Sequence, residues 1–222
     1  MAEPNNLPDA KLYRAISPTE LVPFVPDNQF QLSTTKLGTR LIFSTNEDRI
    51  EMFKHMLDLY PGPFFITVVV QEPHGALVTP GRMYSERDKT RVQIDYFLDY
   101  FHDYISFGGM FHLWISCQSS DGIIVYDQHD YFFVYQRAQE AAAFFRERGY
   151  REQEIELEFD HAHSERIDIV PGTKEMLDYG NWMWSQLELT DVARPRAKSM
   201  QILILKFRHW FGTRKLRRKN RQ

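Results

Sequence analysis

Phe64-Phe65-Ile66-Thr67-Val68-Val69-Val70-Gln71 is a continuous apolar run rich in β-branched residues, and it predicts a central β-strand. Pro61-Gly62-Pro63 stands directly before it and stops a helix whose stripe is Ile50, Phe53, Leu57 and Tyr60. Further back, Arg40–Ser44 (RLIFS) predicts a second strand, ending at Thr45, a residue suited to cap that helix. Lys11–Ile16 (KLYRAI) predicts a first short strand. Ser17-Pro18-Thr19-Glu20 follows with the pattern of an N-cap, a proline at the first helical position and a capping box, so a short helix is expected there.

On the other side of the run, Phe97, Tyr100, Phe101 and Ile105 recur at three- and four-residue steps and predict a helix over Arg87–Ile105, closed by Gly108-Gly109. Met110–Cys117 and Gly122–Asp127 form an expected strand pair around Ser119-Ser120-Asp121-Gly122, and Tyr131–Tyr135 adds another strand. Gln136–Arg148 is a helix ended by Gly149. Glu154–Phe159 and Arg166–Val170 read as strands around a His-rich turn, and Thr173–Leu187 as a helix that Gly180 can interrupt. Helices and strands alternate too irregularly for a doubly wound parallel sheet, and no repeat recurs at fixed spacing. The expected fold is α+β, with a mixed, mainly antiparallel sheet and flanking helices. Residues 1–10 form a loose N-terminus, 11–192 a single domain and 193–222 a basic C-terminal segment, helix or tail.

With 43% hydrophobic residues in 222, the chain can build a sizeable core, which excludes wholesale disorder. The single cysteine, Cys117, rules out an intramolecular disulfide and suggests a reducing compartment. The first twenty residues lack the basic and apolar regions of a signal peptide, and the longest apolar runs fall far short of a membrane span. A cytoplasmic protein is expected.

Three segments fall in a telling order. A strand carries Leu12-Tyr13-Arg14-Ala15-Ile16. Leu41-Ile42-Phe43-Ser44-Thr45 comes next, followed by Asn46-Glu47-Asp48 and an amphipathic helix. Gln153-Glu154-Ile155-Glu156-Leu157-Glu158-Phe159 comes late. If it is a strand, Glu154, Glu156 and Glu158 share one face and the apolar residues the other. This order resembles the ADP-ribosyltransferase superfamily, in its branch with an Arg…Ser/Thr…Glu-x-Glu pattern. The resemblance implies that NAD is the co-substrate and that Arg14 binds its phosphate, to which a guanidinium offers a forked, permanently charged donor set. It implies that Ser44 or Thr45 supports the nicotinamide-side ribose, that Glu156 is the catalytic acid residue and that Glu154 is its partner. A fixed carboxylate suits the positive charge that develops on the ribose as nicotinamide leaves. The family's serine-threonine-serine string is only partly matched by Phe43-Ser44-Thr45, and Ser33-Thr34-Thr35 is a second candidate. A bacterial or phage toxin or effector modifying a protein or nucleic acid is the expected context.

Other constellations point elsewhere. Asp160-His161-Ala162-His163 offers two imidazoles that share a face on a continuing strand, and His-Asp-Tyr occurs at both His102–Tyr104 and His129–Tyr131. With His112, these could furnish a metal-dependent hydrolase, although a polar turn explains Asp160–His163 equally well. Cys117, within the apolar run MFHLWISC, reads as a buried thiol. No Gly-x-Ser-x-Gly, Walker or Rossmann fingerprint occurs.

Charge is sharply segregated. Residues 1–192 hold 16 Lys and Arg against 30 Asp and Glu, whereas 193–222 hold 11 Lys and Arg and no acid. Met200, Leu203, Ile204, Phe207, Trp210 and Phe211 form a helical apolar stripe, though QILILKF could also be a strand. Beyond Gly212 come Arg214, Lys215, Arg217, Arg218, Lys219 and Arg221. Such a segment suits nucleic acid, an anionic membrane surface or an acidic protein partner, and a non-catalytic binding module that recruits through it is the alternative to an enzyme.

Overall fold

The computed structural model describes residues 11–17, 20–35, 38–70, 81–85, 88–108, 111–157, 161–163, 175–176 and 184–187. The chain divides into two compact units, Met1–Gln186 and Leu187–Gln222. The basic segment, with Arg214–Arg221 and the apolar stripe, lies outside the described residues, as do Glu158, Phe159 and Arg166–Val170.

The run that predicts a central strand forms β5 (Phe64–Val70), inside a nine-stranded sheet. On one side it pairs antiparallel with β7 (Phe111–Cys117), then β8 (Gly122–Tyr126), β9 (Phe132–Tyr135), β4 (Gly38–Ser44) and β3 (Gln29–Thr35). On the other it pairs with β6 (Gly81–Ser85), beyond which lies β12 (Trp184–Leu187). The two-residue β10 (Arg151–Glu152) runs parallel to its neighbour, β3. The expected α+β class, with a mainly antiparallel sheet, is the observed one. A separate three-stranded sheet, in the order β11 (His161–His163), β1 (Leu12–Ser17), β2 (Glu20–Pro23), is wholly antiparallel.

Alternation along the strands sorts the large sheet's faces. Leu41 and Phe43, Ile66 and Val68, Leu113 and Ile115, Ile124 and Tyr126, and Phe132 and Val134 all enter the main core. There they meet Ile50 and Phe53 of α1 (Arg49–Leu57), Ile94, Phe97 and Leu98 of α2 (Arg91–Tyr100), Ile105 of α3 (His102–Phe107) and Ala141 and Phe145 of α4 (Ala138–Glu147). On the opposite face Ile42, His112, Trp114, Val125 and Phe133 are also buried.

Several local expectations change in the folded chain. Ser17 and Glu20 are paired strand ends, not a helix start: Ser17 pairs with Glu20, and Leu21 and Val22 pair with Ala15 and Arg14, so strand pairing overrides the cap signal. Thr45 does not cap α1. Asp48, adjacent to the first helical turn, accepts from the amides of Ile50 (2.8 Å) and Glu51 (3.1 Å). The helix expected over Arg87–Ile105 starts at a Thr90–Gln93 capping box and breaks at Phe101 into α2 and α3. Gly149, at φ +79°, ends α4 as expected, with the Tyr150 amide reaching back to the carbonyl of Phe145 at 3.0 Å. Part of the expected helix over Thr173–Leu187 is instead strand β12. Strand β3 pairs along the whole of β4 in a hairpin not anticipated from its sequence, because Gln31, Ser33 and Thr35 dilute its apolar pattern.

Gly122 opens β8 beneath the ring of Tyr60, whose hydroxyl donates to the carbonyl of Tyr135 at 2.6 Å. A Cβ at Gly122 would lie 2.1 Å from a ring carbon. Gly122→Ala is therefore expected to cost about 1–3 kcal/mol of unfolding free energy, measured by denaturant titration, through displacement of that ring.

Candidate functional site

Arg14 sits at the middle of β1, opposite Val22 on one side and His161 on the other. Glu156 lies in the extended chain that leaves β10. That chain runs beside β3, with the Gln153 amide donating to the Phe30 carbonyl (3.0 Å) and the Ile155 amide to Gln31 Oε1 (3.0 Å). Ile155 is buried, whereas Glu154 and Glu156 are exposed. The expected alternation of faces thus holds over these residues although they form no strand, because β3 pairs with β10 for only two residues and Gln side chains take over beyond.

Although 142 positions apart, Arg14 and Glu156 meet: Nη2 donates to Oε2 at 2.5 Å. Their side chains are 40% and 66% exposed, so solvent screens the pair and opening it costs on the order of 0–1 kcal/mol. A ligand can therefore part them cheaply. The backbone beneath is held more firmly, since the Tyr131 hydroxyl donates to the Glu156 carbonyl at 3.0 Å. Burial raises the Tyr131 pKa and keeps that donor protonated.

Ser44 and Thr45 do not share this surface. Both are buried, Ser44 at 0% and Thr45 at 1% exposure. Ser44 Oγ donates to the Asp27 carbonyl at 2.8 Å. Thr45 Oγ1 donates to Asn28 Oδ1 at 3.1 Å, lies 2.6 Å from the Tyr150 hydroxyl and accepts from the Glu47 amide. These hydroxyls staple the end of β4 to the approach to β3 and to the end of α4. In this conformation the ribose contact expected of them is not available. Ser33, Thr34 and Thr35 lie in β3, the last with its hydroxyl donating to the Gly38 carbonyl across the hairpin.

The turn behind the pair, Asp127-Gln128-His129-Asp130-Tyr131, was legible only as a His-Asp-Tyr motif, yet it holds a buried ionic centre. Asp127 closes it: Oδ1 accepts from the amides of His129 (2.8 Å) and Tyr131 (2.9 Å), while Oδ2 lies 3.2 Å from His129 Nδ1. Asp130, in the left-handed region at φ +65°, receives Lys11 Nζ at 3.0 Å and the Tyr126 hydroxyl at 2.5 Å on one oxygen. Arg49 Nη2 reaches its other oxygen at 2.9 Å. Burial presses the pKa of Asp130 upward, but two cations on one carboxylate outweigh it and hold the group below its ordinary value. Burial pulls Lys11 below the ordinary lysine range, against the attraction of Asp130. His112, beside Asp127 on the neighbouring strand, is pushed down to about 4 by burial and is neutral at pH 7.

This turn connects both halves of the exposed pair. Lys11 anchors the start of β1, three residues before Arg14, and Tyr131 holds Glu156. Lys11, Arg49 and Tyr126 carry no local signal of this role, because a cation or a tyrosine at a strand or helix end is ordinary on a surface.

The two His-Asp-Tyr copies part company. His102 is half-exposed on α3, 2.9 Å from Asp48 at the head of α1, while His129 is buried in the turn. Among the described residues no group of three or more His, Cys, Asp or Glu could hold a metal ion. Cys117 is buried, as expected. No helix among the described residues is long and apolar enough to cross a membrane. No family model, curated protein or solved structure matches this chain.

Proposed function

We propose that the chain is an NAD-dependent ADP-ribosyltransferase acting on a macromolecular target, with Arg14 contacting NAD phosphate, Glu156 as the catalytic carboxylate and Glu154 as its partner. The observation that carries this reading is the meeting of Arg14 and Glu156 on an exposed surface from opposite ends of the domain. Residues 142 positions apart, paired weakly in solvent, suit a site that exchanges an internal partner for a ligand. An NAD diphosphate would replace Glu156 on the Arg14 guanidinium. The released carboxylate would then face the ribose. As the glycosidic bond breaks, its electron pair leaves with neutral nicotinamide. Glu156 stabilises the positive ribose until the acceptor's nucleophile bonds to the anomeric carbon and passes its proton to the Glu154 carboxylate, which releases it to water. Ser44 and Thr45 have no part in this scheme in the conformation described.

A second reading is a non-catalytic module that recruits nucleic acid or an acidic partner through Arg214, Lys215, Arg217, Arg218, Lys219 and Arg221. The charge segregation favours it, and so does the burial of the two hydroxyls. One comparison separates the readings. Incubated with labelled NAD and cell lysate, the wild-type chain is expected to label macromolecules, and Glu156→Gln to lower that labelling by about 100-fold or more. Wild-type protein that neither transfers nor hydrolyses NAD, or Glu156→Gln indistinguishable from it, overturns the enzyme. Nucleic-acid retention at low salt that disappears on removing 214–222 then supports the module.

A further inference from the structure

We propose that the outer face of α2 is a docking surface for a basic, amphipathic helical segment of a partner protein. The inner face of α2 is spent on the core through Ile94, Phe97 and Leu98. Outside, Val92, Tyr96 and Tyr100 stand 76%, 58% and 51% exposed. Four-residue spacing puts them on one stripe about 12 Å long. Tyr96 and Tyr100 already stack on each other, their ring centroids 6.1 Å apart and 25° from parallel. Their rotamers are thus constrained before a partner arrives, which lowers the entropic cost of binding.

The charges around the stripe decide what it can accept. Lys54 is 17% exposed and lies between Glu51 (2.7 Å) and Asp99 (2.5 Å). Arg91 is held by Asp95 at 2.8 Å and by Asp58. The cations of this face are therefore covered and shared among carboxylates. Their carboxylate partners face solvent more fully: Asp58, paired with Arg91, Asp99, paired with Lys54, and Asp103, paired with His102, are 62%, 59% and 91% exposed. An aromatic stripe with a carboxylate rim repels phosphate and anionic lipid. It fits a helix with apolar residues at the same spacing and Lys or Arg beside them, whose cations can meet both the rim and the tyrosine faces.

The test uses the full chain and a labelled model helix of about 14 residues, leucine at four-residue steps and lysine or arginine elsewhere, followed by fluorescence anisotropy. Saturable binding is expected, weakened about tenfold or more by Tyr96→Ser with Tyr100→Ser and by raising salt from about 50 mM to about 0.5 M. Asp103→Lys, a change at a carboxylate that is 91% exposed, should weaken it as well in a chain with unaltered circular dichroism. The proposal is overturned if the wild-type chain shows no saturable binding, or if binding survives the tyrosine changes in a chain with unaltered circular dichroism. It is also overturned if single-stranded DNA or anionic vesicles bind in place of the peptide and lose that binding in the same double variant.

Discussion

Asp130→Ala is expected to lower the unfolding free energy by about 3–5 kcal/mol, because it leaves two cations without their shared counter-ion in the interior. Lys11 and the Asp130 carboxylate are 3% and 1% exposed, so water cannot substitute for what is removed. The Tyr126 hydroxyl loses its acceptor as well. Asp130→Asn makes the comparison sharper. Asparagine tolerates the left-handed backbone at this position, so a similar loss in that variant assigns the effect to charge and not to chain conformation. Denaturant titration of both variants measures it, and a loss below about 1 kcal/mol would contradict a buried ionic centre.

The same centre sets an acid limit. Asp127 and Asp130 are both held below the ordinary carboxylate value of 3.8: burial opposes ionisation in each, but His129 for the first and Lys11 with Arg49 for the second outweigh it. A depressed folded-state pKa contributes stability that is complete above the unfolded-state value and disappears as pH falls through the folded-state one. Wild-type stability is thus expected to fall below pH 3.8, and Asp130→Asn to show a shallower fall there.

Phe132→Ala should cost a comparable amount, about 3–5 kcal/mol. Phe132 is fully buried in β9, between β8 and β4. Its ring stacks on Phe43 (4.5 Å, 4°) and on Tyr126 (4.5 Å, 25°), and Phe53 of α1 meets it edge-on at 5.6 Å. Three rings from two strands and a helix would face the vacated volume, and a sheet interior this tightly stacked has little room to collapse into it. Phe132→Leu, which keeps most of the volume, should cost under about 1.5 kcal/mol. Equal effects of the two substitutions in thermal or chemical unfolding would show that the cavity is not what destabilises the chain.

Tyr126 belongs to both predictions. Its ring stacks on Phe132 and its hydroxyl reaches Asp130, so the aromatic core and the ionic centre share one side chain. Lys11, the first described residue, closes that contact from β1. The turn at Asp127–Tyr131 thereby sets where Arg14 and Glu156 can be, although neither belongs to it.

How much of this could be read in advance follows from the range of each interaction. Phe64–Val70, the Gly149 helix stop and the strand pair around Gly122 express local periodicity and turn chemistry, which a linear chain carries within a few residues. The candidate site was half legible. The sequence order points to Arg14 and Glu156, which meet, and equally to Ser44 and Thr45, whose hydroxyls Asp27, Asn28 and Tyr150 claim. A hydroxyl looks the same in a sequence whether it faces solvent or a carbonyl.

The amino-acid sequence by itself determined the α+β class, the central strand, most helices and the separation of acidic from basic residues, because these depend on side-chain type and near neighbours. Only the tertiary structure decided that Ser17 and Glu20 pair as strand ends, that Lys11, Arg49 and Tyr126 converge on Asp130, and that Arg14 meets Glu156. Those outcomes join residues more than eighty positions apart in the ion pairs, and they rest on burial and strand pairing, which exist only once the whole sheet has formed.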